Sequence, residues 1–145
     1  MAIFVGKELA LQLKFKLDNK CSSNQAEQLA IFKAIEVIET IEITVNSPRT
    51  VTIFTDSIIS IDSLKNVNNH SYLIEETRKK MSTLERENCT TKLSWIKTSV
   101  SIYENELADQ LAKAVARNRN TTIACNRISL STLCSEIEEK AKEKW

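Results

Sequence analysis

Val51-Thr52-Ile53-Phe54-Thr55-Asp56-Ser57 is the stretch on which the fold turns. Val51 to Thr55 is dense in β-branched residues and reads as a buried strand. It ends at an acid, and a short helix is expected from Ser57 to about Lys65. A buried strand feeding a helix belongs to an α/β layer fold. Asp56 at that junction suits a helix N-cap, a position that favours Asp. The C-terminal edge of an α/β sheet is also where polar sites are built.

Upstream, Leu9, Leu11, Leu13, Phe15 and Leu17 alternate with Ala10, Gln12, Lys14 and Lys16, the period of a half-buried strand. Ala2-Ile3-Phe4-Val5 is a shorter strand, with Gly6-Lys7 as the hairpin turn. Cys21-Ser22-Ser23-Asn24 supplies cap chemistry for a long helix reaching about Ile41, with a stripe at Ala30, Ala34, Ile38 and Ile41. Asn46-Ser47-Pro48 breaks the chain before the central strand.

Downstream, residues 71 to 87 make a helix whose charges are those of a solvated face, or of a basic ridge around Arg78-Lys79-Lys80. Thr91 to Lys97 is a strand, and Ile102 to about Ala116 an amphipathic helix striped by Ala108, Leu111, Ala112 and Val115. Polar residues 117 to 127 read as a linker and 131 to 145 as a further helix. The order β-β-α-β-α-α-β-α predicts a mixed sheet flanked by helices. The division expected is a domain over 1–120 and a linker with a helix over 121–145.

Composition narrows the function. The chain has 145 residues with 42% hydrophobic and 27% charged, enough for one domain with a core. A net charge of +1 does not by itself announce a nucleic-acid partner. Cys21, Cys89, Cys125 and Cys134 form no C-x-x-C pair and lie far from the lone His70, which argues against zinc and for free thiols. No apolar run in the opening residues suits a membrane span or signal peptide, so a nuclear or cytoplasmic location is expected.

Two further acids qualify as site residues. Glu27 shares a helical face with Ile31, Ala34 and Ile38, or serves a capping box Asn24-x-x-Glu27. Asp109 borders the last stripe, or makes a surface ion pair with Lys113 four residues on.

The three acids lie in segments that match one pattern. Asn24-Gln25-Ala26-Glu27-Gln28-Leu29-Ala30, Phe54-Thr55-Asp56-Ser57, and Trp95-Ile96-Lys97 through Asn105-Glu106-Leu107-Ala108-Asp109-Gln110-Leu111-Ala112-Lys113 resemble, in order and spacing, the segments around the second, third and fourth catalytic acids of ribonuclease H. Asp62-Ser63-Leu64-Lys65 and Leu73-Ile74-Glu75-Glu76 resemble the ribonuclease H domain that follows reverse transcriptase in non-LTR retrotransposon polyproteins. The resemblance covers most of residues 2 to 116. It implies a ribonuclease H-like α/β fold and metal-dependent hydrolysis of the RNA strand in RNA–DNA hybrids. Glu27, Asp56 and Asp109 would be catalytic ligands of Mg²⁺, with Mn²⁺ able to substitute. Asn24, Gln25, Ser57 and Asn105 would contact nucleic acid. Two Mg²⁺ ions held close together need several carboxylate oxygens, which explains the residue types. The expected molecule is a monomer, with a hybrid as partner and neither a membrane nor a small-molecule cofactor.

The chain departs from the pattern in two places. The family's first catalytic Asp ends a strand that would precede Ala2, so an N-terminally truncated domain lacking its first, central strand is expected. Ser99 stands where the family often has a histidine, and Ser101 and Glu104 replace common glycines in the same loop. Two functions stay open: an endonuclease on hybrids, or a remnant that binds nucleic acid weakly or has no enzymatic role.

Overall fold

The computed structural model describes residues 2–5, 8–40, 48–97, 103–128 and 130–143. Elements run β1 (Ala2–Val5), β2 (Glu8–Gln12), β3 (Lys16–Leu17), α1 (Ser23–Thr40), β4 (Arg49–Thr55), α2 (Ile58–Lys65), α3 (Tyr72–Arg86), β5 (Cys89–Trp95), α4 (Tyr103–Arg117), β6 (Ile123–Cys125) and α5 (Leu130–Glu143). The class is mixed α/β, as expected for a ribonuclease H-like chain.

The described strands form three separate pairs. β1 and β2 are antiparallel, with Val5 opposite Glu8 and an irregularity between Ile3 and Phe4. The Gly6-Lys7 turn expected between them lies outside the described residues. β4 and β5 are parallel and in register from Arg49↔Cys89 to Thr55↔Trp95. β3 pairs in parallel with β6.

The alternation over Leu9 to Leu17 therefore serves two sheets, because the strand is interrupted at Leu13 to Phe15. Beyond the break, Phe15 and Leu17 pack with Cys125 against Leu29, Phe32 and Leu73. Part of the stretch read as linker is thus a strand: Ile123–Cys125 seats on Lys16–Leu17, and the Asp18 amide donates to the Cys125 carbonyl at 2.9 Å.

α1 holds the molecule together. Ile31, Ile35 and Ile38, at i, i+4 and i+7, face Leu84 and Cys89 with Val51, Ile53 and Leu93 of the β4–β5 sheet behind them. Leu29 and Phe32 face the β3–β6 side. Of the expected stripe Ile38 is buried and Ile41 lies outside the described residues, while Ala30 and Ala34 are only half-buried and the bulkier Ile31 and Ile35 beside them go inside. Burial follows apolar area, and Ile or Phe removes far more of it than Ala.

β4 is covered on one face only. Val51 and Ile53 point toward the helices, while Thr50, Thr52 and Phe54 are exposed, Phe54 by 62%. The burial expected of this strand is met on that face and at Thr55, where α1, α2 and α3 pack on the sheet, whereas α4 contacts β1.

The chain turns from α3 into β5 through Asn88, at φ 59°. Asn tolerates the left-handed region better than most residues, which suits a chain with one glycine.

The basic run on α3 is used internally. Arg78 donates to the carbonyls of Ser63, Leu64 and Asn66, closing the C-terminal end of α2, whose last carbonyls have no helical partner. Lys79 pairs with Glu76 at 2.7 Å and Lys80 with Glu39 at 2.6 Å. Arg78→Ala is expected to lower stability by about 1–3 kcal/mol, since charged donors leave carbonyls unmatched. Urea denaturation checks this, and Arg78→Lys is expected to recover little of it, because one ammonium cannot span three carbonyls.

Candidate functional site

Two of the three acids are not the helix caps that their local sequence suits. The capping box at the start of α1 is built by Ser22 and Gln25, not by Asn24 and Glu27. The Gln25 amide accepts from the Ser22 N–H at 2.9 Å, and the Ser22 hydroxyl accepts from the Gln25 N–H at 3.3 Å. Glu27 is left half-buried, one turn into the helix.

At the start of α2 the N-cap is Ser57, whose hydroxyl accepts from the Ser60 N–H at 3.2 Å. Asp56 sits one residue earlier, at the end of β4. Its backbone is held by β5: the Trp95 indole N–H donates to the Asp56 carbonyl at 3.1 Å, and the Ile96 amide to the Thr55 carbonyl at 2.9 Å. Strand and helix thus bring two carboxylates toward one another.

Burial pushes the Glu27 carboxyl above its ordinary value, and the Asp56 charge beside it pushes further in the same direction. Two acids placed so that one resists ionising are poorly explained by stability alone.

Asp109 takes the plain alternative. Its carboxylate meets Lys113 at 2.6 Å on the exposed surface of α4, one turn on. Its charge is not among those that act on Glu27. The structure places Glu27 within electrostatic reach of Asp56 and holds Asp109 in a pair with Lys113.

The expected nucleic-acid contacts divide similarly. Asn24 is exposed in the first turn of α1. Gln25 is occupied on both sides, its Nε2 donating to the Arg127 carbonyl at 2.8 Å while its oxygen serves the cap. Ser57 is committed to its cap and to the Ser60 hydroxyl at 2.9 Å. Asn105 lies in the first turn of α4, its side chain outside the described residues, as are Ser99, Ser101 and the Glu104 side chain.

The sequence reading did not foresee the Trp95 indole as a support for Asp56, nor the Arg127 carbonyl on Gln25. Trp95 carried a signal, since a large aromatic at a strand end seeks a partner for its N–H. The Arg127 contact joins distant segments and left no local trace.

Glu27 and Asp56 are hard oxygen donors, and a divalent cation between them would relieve their repulsion. They fit one ion in part. Among the described residues no group of three His, Cys, Asp or Glu side chains closes on a common point. No helix of the described residues is long and apolar enough to cross a membrane.

A mixed α/β chain with an acid pair where a strand end meets a helix start has the layout of a ribonuclease H-like domain. The RNase H family model matches residues 1–117, and the chain belongs to that family. No curated protein and no solved structure matches it. Family membership supports a ribonuclease H-type hydrolase that binds nucleic acid, in a family that generally uses divalent metals and acts on RNA–DNA hybrids.

The raised Glu27 carboxyl carries a pH signature. The folded chain holds that proton more tightly than the unfolded one, so its contribution to stability is complete below the unfolded value and is lost as pH rises through the folded one. Glu27→Gln is therefore expected to be more stable than the parent near pH ~7 and equal to it near pH ~3, below the ordinary carboxyl range. Urea midpoints at the two pH values decide; an equal gap at both would show that Glu27 is not perturbed.

Proposed function

We propose that this chain is the ribonuclease H domain of a non-LTR retrotransposon polyprotein, an endonuclease for the RNA strand of RNA–DNA hybrids that depends on Mg²⁺ or Mn²⁺. The observation that carries the proposal is the Glu27–Asp56 pair, drawn together from α1 and the end of β4 with neither acid spent as a helix cap. The polyprotein origin rests on the wording of residues 62–65 and 73–76. The free thiols are in keeping with a nuclear or cytoplasmic setting.

In this reading the metal supplies the polarisation that lets a hydroxide attack phosphorus and the ribose oxygen leave. Glu27 and Asp56 would hold the cation through their carboxylates, and Trp95 fixes the Asp56 backbone. Asn24, exposed in the first turn of α1, would meet sugar hydroxyls or base edges, and Gln25 would join it once released from the Arg127 carbonyl; the 2′-hydroxyl separates RNA from DNA. Asp109 would complete the ligand set only if it gave up its pair with Lys113.

We further propose that the edge of β4 away from β5, which no described strand pairs, is the place of a central strand. Odd residues of β4 turn their amides and carbonyls to β5, as the Arg49 amide on the Asn88 carbonyl and the Ile96 amide on the Thr55 carbonyl indicate. Those of Thr50, Thr52 and Phe54 therefore point to the opposite edge, in keeping with such a slot.

A second reading has its own support: Asp109 is tied to Lys113 away from the acid pair. On that reading the chain binds nucleic acid weakly without turnover, or is inert. Loss of one stabilising group at a reaction centre costs on the order of 10²-fold or more. A labelled hybrid with Mg²⁺ or Mn²⁺ separates the two. The endonuclease reading expects slow cutting of the RNA strand alone, abolished by Asp56→Asn and by Glu27→Gln. Binding without cutting, fading steeply as salt rises, is the outcome expected of the remnant.

A further inference from the structure

The C-terminal segment is fastened to the start of α1 by contacts that water can reach. Lys20 Nζ meets Glu136 at 3.1 Å, the Gln25 amide donates to the Arg127 carbonyl, and the Arg127 guanidinium lies over the Tyr72 ring, 3.8 Å from its centre. Exposed pairs of this kind are individually weak. Within the same seam stand two cysteines that the acid pair does not use.

Cys21 and Cys125 come from opposite sides of the seam. Cys125 is the last residue of β6, next to Leu17 on β3, and its carbonyl accepts from the Asp18 amide. The chain then turns back, the Cys21 amide donating to the Asp18 carbonyl at 2.9 Å. That turn leaves the Cys21 sulfur 3.8 Å from the Cys125 carbonyl oxygen and 3.4 Å from that of Arg127. The Cys21 sulfur thus lies against the Cys125 backbone, and burial, with the Cys125 thiol adding to it, pushes the Cys21 thiol above its ordinary value. Both residues are partly exposed, so an oxidant can reach them. Cys89 is buried in the core and Cys134 exposed on α5.

We propose that Cys21 and Cys125 are a reversible redox pair whose disulfide locks the C-terminal segment onto the start of α1. The oxidant is a small disulfide such as oxidised glutathione. The Cys21 thiolate attacks one glutathione sulfur, the glutathione S–S bond breaks, and one glutathione thiolate leaves with the electron pair. The Cys125 thiolate then attacks the Cys21 sulfur, forming the protein disulfide and releasing the second glutathione. The protein loses two electrons, glutathione disulfide gains them, and the two thiol protons end on the two glutathiones. The link closes a loop of more than a hundred residues, the geometry in which restricting the unfolded chain counts most. Because the same segment holds the Gln25 amide, the lock would also govern whether that amide is free to meet nucleic acid; this consequence alone rests on the function proposed above.

The test uses the whole chain and no nucleic acid. After incubation with oxidised glutathione, non-reducing tryptic mapping is expected to show peptide 21–33 joined to peptide 120–127. The thermal midpoint is expected to rise by roughly 5 °C or more and to return on adding dithiothreitol. Cys21→Ser and Cys125→Ser should each abolish both effects, and Cys134→Ser neither. Glutathione adducts that never resolve, a link made through Cys134, or a Cys21–Cys125 link that leaves the midpoint unchanged would each overturn the proposal.

Discussion

The packing of α1 on two sides is the constraint from which the rest follows. One face, through Ile31, Ile35 and Ile38, builds the core with β4, β5 and α3; the other, through Leu29 and Phe32, builds the smaller cluster that receives Phe15, Leu17 and Cys125. Ile35 is fully buried and Leu29 and Ile31 nearly so. A helix gripped on both faces cannot turn about its axis without emptying one core into water, and each large apolar side chain so exposed costs about 1.5–3 kcal/mol. That grip fixes the direction of Glu27, which rides on the same helix one turn before Ile31.

The site inherits its precision from this arrangement rather than from bonds of its own. Asp56 is placed by the parallel register of β4 on β5, and Glu27 by the core beneath it. Two negative groups pressed together need such outside support, because their own interaction drives them apart. Ser57 and the Ser22–Gln25 box take the cap positions beside the two acids. Asp109 has no comparable support: it stands on an exposed helix surface, where Lys113 is the nearest way to balance its charge.

Much of this was legible in the sequence, and the misses have physical causes. β4, α2 and β5 were readable because β-branched runs and cap residues act locally. In the α1 stripe Ile38 was placed correctly and the two alanines were not, because alanine fits either environment, so size decided which neighbours went in. The two sheets sharing residues 9–17 were invisible because a strand's alternation says nothing about its partner. β6 was read as linker because three residues of strand carry too short a pattern, and what holds them is a pairing with residues more than a hundred positions away. Capping boxes two residues apart, Ser22–Gln25 and Asn24–Glu27, satisfy the same rule, and local spacing cannot rank them. The three acids were found by resemblance; which of them converge is a tertiary property that spacing does not encode.

The parallel pairing of β4 with β5 also sets an order of events in time. Arg49 meets Cys89 only after the intervening chain, with α2 and α3, has folded back across the sheet, whereas those helices close through neighbours a few residues apart. Distant pairings of this kind form slowly, because the loop must be closed before any contact rewards the closure. The end of β4, and Asp56 with it, takes its final position after the helices exist. The placing of Asp56 beside Glu27 thus depends on a pairing between distant parts of the chain, and belongs to the folded molecule rather than to either segment alone.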